Sequence, residues 1–144
     1  MGANAVHIRA FELSDESAVI ALWDRCGLLR AWNDPAKDIR RKLSDTPELF
    51  IIAQEGQAVV GSAMGGYDGH RGAVNYLAVD PAVQLRGLGR LLMTEVERLL
   101  RERGCPKLNI LVRNSNLGVR DFYSALGYEL ENVVCMGKRL IPDV

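Results

Sequence analysis

Two glycines, Gly87 and Gly89, stand at the entry to a long helical pattern, just after a strand-like run that ends at Asp80 and Pro81. The first N–H groups of a helix lack intrahelical partners and lie at the positive end of its dipole, so such a start can receive an anion. Glycine there removes side chains that would keep a phosphate away from the backbone. Arg86 and Arg90 flank the loop and can add charge-assisted bonds. A plain helix start with two incidental glycines accounts for the same residues. A dinucleotide fingerprint fits poorly, because its third glycine position holds Leu92. An NTPase phosphate loop is excluded, since no Lys-Ser or Lys-Thr follows. Farther on, Asn116 and Tyr123 are seven residues apart. Two helical turns put them on one face, roughly 10 Å apart along the axis. A phenol with a pKa of about 10 is a proton donor across the physiological range. The alternatives are an ordinary N-cap for Asn116 and a core aromatic for Tyr123.

The elements that would hold these residues follow from periodicity and from turn residues. Residues 7–11 alternate as a short strand. Ser14 is a candidate N-cap for a helix running to about Cys26, with Val19, Leu22 and Trp23 on one stripe and Gly27 as its stop. Asp34 caps a second helix with Pro35 at its first position, and Ile39 and Leu43 face inward. Strands are expected at 49–53, 58–64 and 73–79, joined by turns at 54–57 and 67–72. A long amphipathic helix spans 87–103, and Gly104 and Pro106 end it. A strand at 107–112, a short helix at 117–126 and a final pair of strands at 128–134 and 135–140 complete the chain. This order predicts a mixed α/β sheet with helices on its faces.

Composition narrows the function. The chain has 144 residues, of which 48% are hydrophobic and 25% charged, enough to build a core without disulfides or metals. Lys plus Arg and Asp plus Glu are 18 each, so the net charge is zero. With no basic stripe carrying interleaved aromatics, neither nucleic acid nor an anionic membrane is an expected partner. There is no bilayer-length apolar run and no leader pattern at the N-terminus. The three cysteines, Cys26, Cys105 and Cys135, are widely spaced and read as reduced, semi-buried thiols of a cytoplasmic protein. The two histidines, His7 and His70, lack a ligand neighbour at i+3 or i+4, so no metal is expected and activity should survive chelators.

Gln84, Gly87 and Gly89, set between a strand and a long helix, resemble the acyl-CoA pyrophosphate loop of the GNAT superfamily of N-acyltransferases. Asn116, Val119, Phe122, Tyr123, Gly127 and Tyr128 resemble its second motif, in which an Asn opens a helix, a Tyr follows seven residues on and Gly-aromatic closes it. One helix and one strand separate the two, as in that superfamily, and the resemblance covers nearly the whole chain. Segments 31–35 and 65–72 also resemble small bacterial acetyltransferases of the YpeA type.

The resemblance implies a single GNAT-fold domain over residues 1–144, with its core at about 6–140. The implied mixed, mostly antiparallel sheet has about six to seven strands, splayed at the cofactor site, and about four helices on its faces. It implies transfer of an acetyl group from acetyl-CoA to a primary amine by direct attack in a ternary complex. Tyr123 would be the general acid for the departing thiolate, and Asn116 would lie along the CoA chain. Leu77, Ala78 and Val79 would offer strand backbone to the pantetheine arm, and a strand N–H of Leu77 or Val79 would polarise the thioester. Gln84, Leu85, Arg86, Gly87, Leu88, Gly89 and Arg90 would hold the pyrophosphate. The acceptor is a small-molecule or peptide amine, with Trp32 and Asn33 in its pocket wall. A Glu that serves as base in the relatives acetylating ribosomal-protein N-termini is replaced here by Leu111. Asp68 and His70, in a turn beside the cofactor strand, are then the base candidates, although an Asp-Gly turn with a solvated His explains them as well. Pairing of two copies through the C-terminal strands is a further implication. A non-catalytic acyl-CoA sensor is the competing reading, and turnover with a panel of amines separates the two.

Overall fold

The segment Phe50–Glu55 (β2) is buried on both faces at its start, and its alternation assigns the two layers of the core. Phe50 and Ile52 enter one apolar cluster with Phe11, Val19, Leu22, Trp23 and Ile39. Ile51 and Ala53 enter the other with Val60, Leu92, Met93, Val96 and Leu100. A strand covered on both sides can be apolar without interruption, which is why this run carries no polar alternation.

A computed structural model describes residues 5–84 and 86–144. Val6–Ala10 (β1), β2, Ala58–Tyr67 (β3), Gly72–Val79 (β4) and Leu108–Asn109 (β5) form one sheet in the order β1-β2-β3-β4-β5. The first four are antiparallel, and β5 joins β4 in parallel. Glu16–Arg25 (α1) and Pro35–Leu43 (α2) contribute to the cluster around Trp23. Leu88–Glu102 (α3) and Leu117–Ala125 (α4) contribute to the one around Leu92.

Glycines let α3 approach the sheet closely. A Cβ at Gly61 would lie 2.9 Å from Leu92 Cδ1, one at Gly65 3.3 Å from Val96 Cγ1, and one at Gly72 3.0 Å from Leu100 Cδ1. Leu92, Val96 and Leu100 recur every four residues and so form one ridge, which lies along these side-chain-free positions.

The helix starts agree with the sequence in one case and correct it in the other. Asp34 caps α2, its Oδ1 accepting from the N–H groups of Ala36 at 2.9 Å and Lys37 at 3.3 Å. Ser14 is not the cap of α1, because a short 3-10 turn over Leu13–Asp15 precedes that helix. Glu12 and Asp15 form a reciprocal capping box there. Both guanidinium nitrogens of Arg9 hold the Asp15 carboxylate at 2.9 Å.

Among the described residues the strand count is five rather than six to seven. The strand expected at 107–112 pairs only over Leu108–Asn109. The two expected at 128–134 and 135–140 join none of the four ladders, and Leu130, Val133, Val134, Met136 and Leu140 are exposed. Alternation makes a strand only where another backbone lies in register, and this segment has none. It is tied at its ends instead, by the Tyr128 hydroxyl on Glu97 and by Asp143 on α2. Cys135 lies on it and is exposed, not semi-buried as expected, whereas Cys26 and Cys105 are half-buried.

Candidate active site

β4 and β5 pair only at Gly72 with Leu108 and Ala73 with Asn109. Beyond Ala73 the two part, and a cleft of about 720 Å³ opens between them. Asn75, Tyr76 and Leu77 of β4 line one side, and residues 110–113 that follow β5 line the other. Asn116, the N-cap of α4, and Tyr123 of α4 also line it, as do Trp32, Asn33 and Asp38 of the α1–α2 region.

A bulge shapes the β4 wall. Ser62 of β3 faces Ala78 while Met64 faces Asn75, so two steps on β3 span three on β4. The extra residue reverses the inward parity: Val74 belongs to the Leu92 cluster, whereas Tyr76 and Ala78 belong to the Trp23 cluster. Tyr76 has φ 53°, a left-handed conformation that costs a residue with a Cβ roughly 1–3 kcal/mol. Among the described residues β4 has no ladder partner beyond Ala73 on its outer edge, so its polar backbone groups border the cleft.

Asn116 caps α4, its Oδ1 accepting from the Val119 N–H at 3.3 Å, and it also lines the cleft. Seven residues on, Tyr123 is buried, its ring edge-to-face with Phe122 and Tyr128. Among the described residues nothing hydrogen-bonds the Tyr123 hydroxyl, and no buried side-chain oxygen or nitrogen is left without a partner. That hydroxyl therefore meets the cleft. Burial pushes its pKa up to about 12, so it keeps its proton at any physiological pH.

At the start of α3, Gly87 takes the left-handed conformation at φ 79° and has no side chain to cap the helix. The N–H groups of Leu88, Gly89 and Arg90 precede the first intrahelical bond, from Leu91 to the Gly87 carbonyl at 3.1 Å. Arg90 is exposed there, and Arg86 is held at 2.5 Å by Glu55. Gln84 donates to the Val79 carbonyl at 3.1 Å. Leu88 is buried and packs inward, and Leu85 lies outside the described residues. Gly89 has a second reason to be glycine: a Cβ there would lie 3.0 Å from Phe122 Cζ. Ala78 is buried within the Trp23 cluster, and Val79 is absent from the cleft wall.

Trp32 is exposed and lines the cleft, which makes it a cleft wall rather than a staple between helices. Asn33 Nδ2 donates to Asp38 Oδ2 at 2.5 Å and to the Tyr76 hydroxyl at 2.9 Å. Asp68 and His70 are not brought into the cleft. The Asp68 carboxylate accepts from the N–H groups of His70 and Arg71, both at 2.8 Å, and these bonds lower its pKa. Sequence reasoning missed Asp38, Tyr76 and Ser62, whose contacts join residues 14 to 43 apart in the chain. No spacing rule reports such contacts. Among the described residues no three of His, Cys, Asp and Glu gather as a metal site, and no helix is long and apolar enough to cross a membrane.

Residues 9–128 match the Acetyltransferase (GNAT) family. The chain belongs to that family. It is 51% identical over 138 residues to an acetyltransferase of Yersinia enterocolitica, covering 96% of this chain and 98% of that one. An acetyltransferase of Sodalis glossinidius is 50% identical with the same coverage. Among solved structures, the aminoglycoside N-acetyltransferase AAC(6')-Iy in complex with CoA superposes with a TM-score of 0.80, at 19% identity and 98% coverage of both chains. The ribosomal-protein-S18-alanine N-acetyltransferase of Escherichia coli gives 0.71 at 23% identity, over 85% of this chain and 77% of that one. These two likenesses bear on the fold, and the helix start beside an opened sheet edge belongs to a GNAT acetyltransferase.

Proposed function

We propose that this chain is an acetyl-CoA-dependent N-acetyltransferase acting on a primary amine by direct attack in a ternary complex. The observation that carries the reading is the opening of β4 from β5 with Tyr123, whose hydroxyl has no partner among the described residues, lining it. Acetyl-CoA supplies an activated acyl thioester when bound. The residues fit it: the unpaired β4 edge suits an extended amide-bearing arm, and the uncapped start of α3 suits a pyrophosphate. Leu88, Gly89 and Arg90 bind through their N–H groups, and Arg86 and Arg90 add charge once Arg86 leaves Glu55. Leu77 lends backbone, with Ala78 and Val79 continuing the strand. Gln84 fixes the loop through the Val79 carbonyl, and Asn116 orients the arm. Tyr123 holds a proton at Oη for the leaving thiolate. Trp32 and Asn33 wall the acceptor.

A free-thiol assay across peptide, polyamine, aminoglycoside and amino-acid amines, with mass spectrometry of the product, tests this reading. Transfer to one class is the expected result. Acetyl-CoA binding without transfer to any amine would favour a sensor. We further infer that two copies associate through the exposed apolar residues of segment 129–141, which light scattering at two concentrations reads as a change in mass.

A further inference from the structure

Tyr76 is fixed at three points, each by a different part of the fold. Its carbonyl accepts from Ser62 Oγ at 2.7 Å, and Ser62, which has no exposed surface, in turn accepts from Trp23 Nε1 at 2.9 Å. Its ring stacks on Trp23 with centroids 3.7 Å apart. Its hydroxyl donates to Asp38 Oδ2 at 2.6 Å and accepts from Asn33 Nδ2 at 2.9 Å. A left-handed tyrosine persists only where its surroundings over-determine it, and here β3, α1 and α2 all do so. The same residue sits at the β4 bulge, whose other edge borders the cleft.

We propose that Ser62 and Asp38 are positioning residues for acetyl transfer: by holding Tyr76 left-handed, they set the direction in which the β4 bulge points a backbone N–H at the acyl carbonyl oxygen. The inference rests on the acetyl-CoA reading above. Ser62 acts through the Tyr76 carbonyl and Asp38 through the Tyr76 phenol. Asp38 is needed for an acceptor oxygen and not for its charge, so an amide in its place should serve.

The test binds acetyl-CoA carrying ¹³C at the acyl carbonyl to the full chain and reads the carbonyl stretch by infrared difference spectroscopy. Single-turnover transfer to the best amine of the panel is measured alongside. In the wild-type chain the stretch falls below its value in free acetyl-CoA. Ser62→Ala, Tyr76→Phe and Asp38→Ala should lose most of that shift and slow single turnover about tenfold or more, short of removing a donor outright, with acetyl-CoA affinity retained. Asp38→Asn should restore both, because its amide oxygen accepts from the phenol. If Ser62→Ala fails to fold with Trp23 Nε1 unpaired, Tyr76→Phe and the two Asp38 variants decide the question. Folded variants with an unchanged stretch and rate overturn the inference. So does an Asp38→Asn variant as impaired as Asp38→Ala, which would make the charge the operative feature. A wild-type chain that does not bind acetyl-CoA overturns the proposed function together with this inference, whereas one that binds it and transfers acetyl without a carbonyl shift overturns this inference alone.

Discussion

Tyr123, buried, and Tyr76, half-buried, both line one cleft, yet their surroundings suit them to opposite tasks. The Tyr76 hydroxyl is spent on Asp38 and Asn33, whereas among the described residues that of Tyr123 has no protein partner. Only the latter is free to give a proton to a reacting atom. Replacing Tyr123 with Phe keeps the ring packing against Phe122 and Tyr128. General-acid help is typically worth about 10²–10⁴-fold, and a thiolate with a pKa near 8.5 needs little of it. We expect unchanged acetyl-CoA affinity by calorimetry and a single-turnover rate lower by about tenfold. Lower affinity with an unchanged saturated rate would make Tyr123 a binding residue instead. Its pKa, pushed up to about 12 by burial, adds a sign to the pH profile. The phenol stays protonated through the ordinary tyrosine range near 10, so the wild-type rate should show no basic limb attributable to Tyr123 below about 11.

At the scale of the element, α3 does two jobs with two sets of residues. Its ridge of Leu92, Val96 and Leu100 packs on Gly61, Gly65 and Gly72 of the sheet, while its first turn has no side-chain cap. Gly89 belongs to both, since a side chain there would strike Phe122 of α4. An acidic replacement at Gly89 would therefore confuse packing with binding. Arg90 is the cleaner probe, being exposed and the third residue of the helix. Arg90→Glu should leave thermal unfolding within a few degrees of wild type and weaken acetyl-CoA binding about tenfold at low salt, less at high salt. Isothermal titration at two ionic strengths checks both statements. Equal affinity at low salt would place the pyrophosphate elsewhere.

Across the whole molecule, the last residues return to α2 and its N-cap. The buried Asp143 carboxylate accepts from the Asp34 N–H at 2.8 Å and from Arg41 at 2.6 Å, and Lys37 Nζ donates to the Asp143 carbonyl at 2.7 Å. The Arg41 bond first, then the Asp34 N–H, lowers the Asp143 pKa to about 2. A carboxylate held below its ordinary value stabilises the docked tail at pH above about 4, and that contribution fades as the pH falls towards about 2. In an NMR titration the Asp34 amide should move with a midpoint near 2, and Asp143→Ala should abolish the transition. A midpoint in the ordinary aspartate range would mean that the tail is not docked.

Much of this protein was legible in its residues. The cap at Asp34, the stop at Gly27, the amphipathic run of α3 and the seven-residue spacing of Asn116 and Tyr123 are local, because each depends on contacts within a few turns of chain. The glycines at the start of α3 and the Asn–Tyr pair carried the family resemblance for the same reason. Tertiary structure decided what depends on partners far away. The apolar alternation of 128–140 reads as strands but finds no register, since a ladder needs a neighbour that no sequence window contains. Ser14 reads as a cap but yields to the Glu12–Asp15 box, which Arg9 reinforces from β1. The lock on Tyr76 joins Ser62, Trp23, Asn33 and Asp38 only after β3, α1 and α2 have closed around it. A left-handed tyrosine in a strand contradicts local preference, and only packing from several elements at once can hold it there.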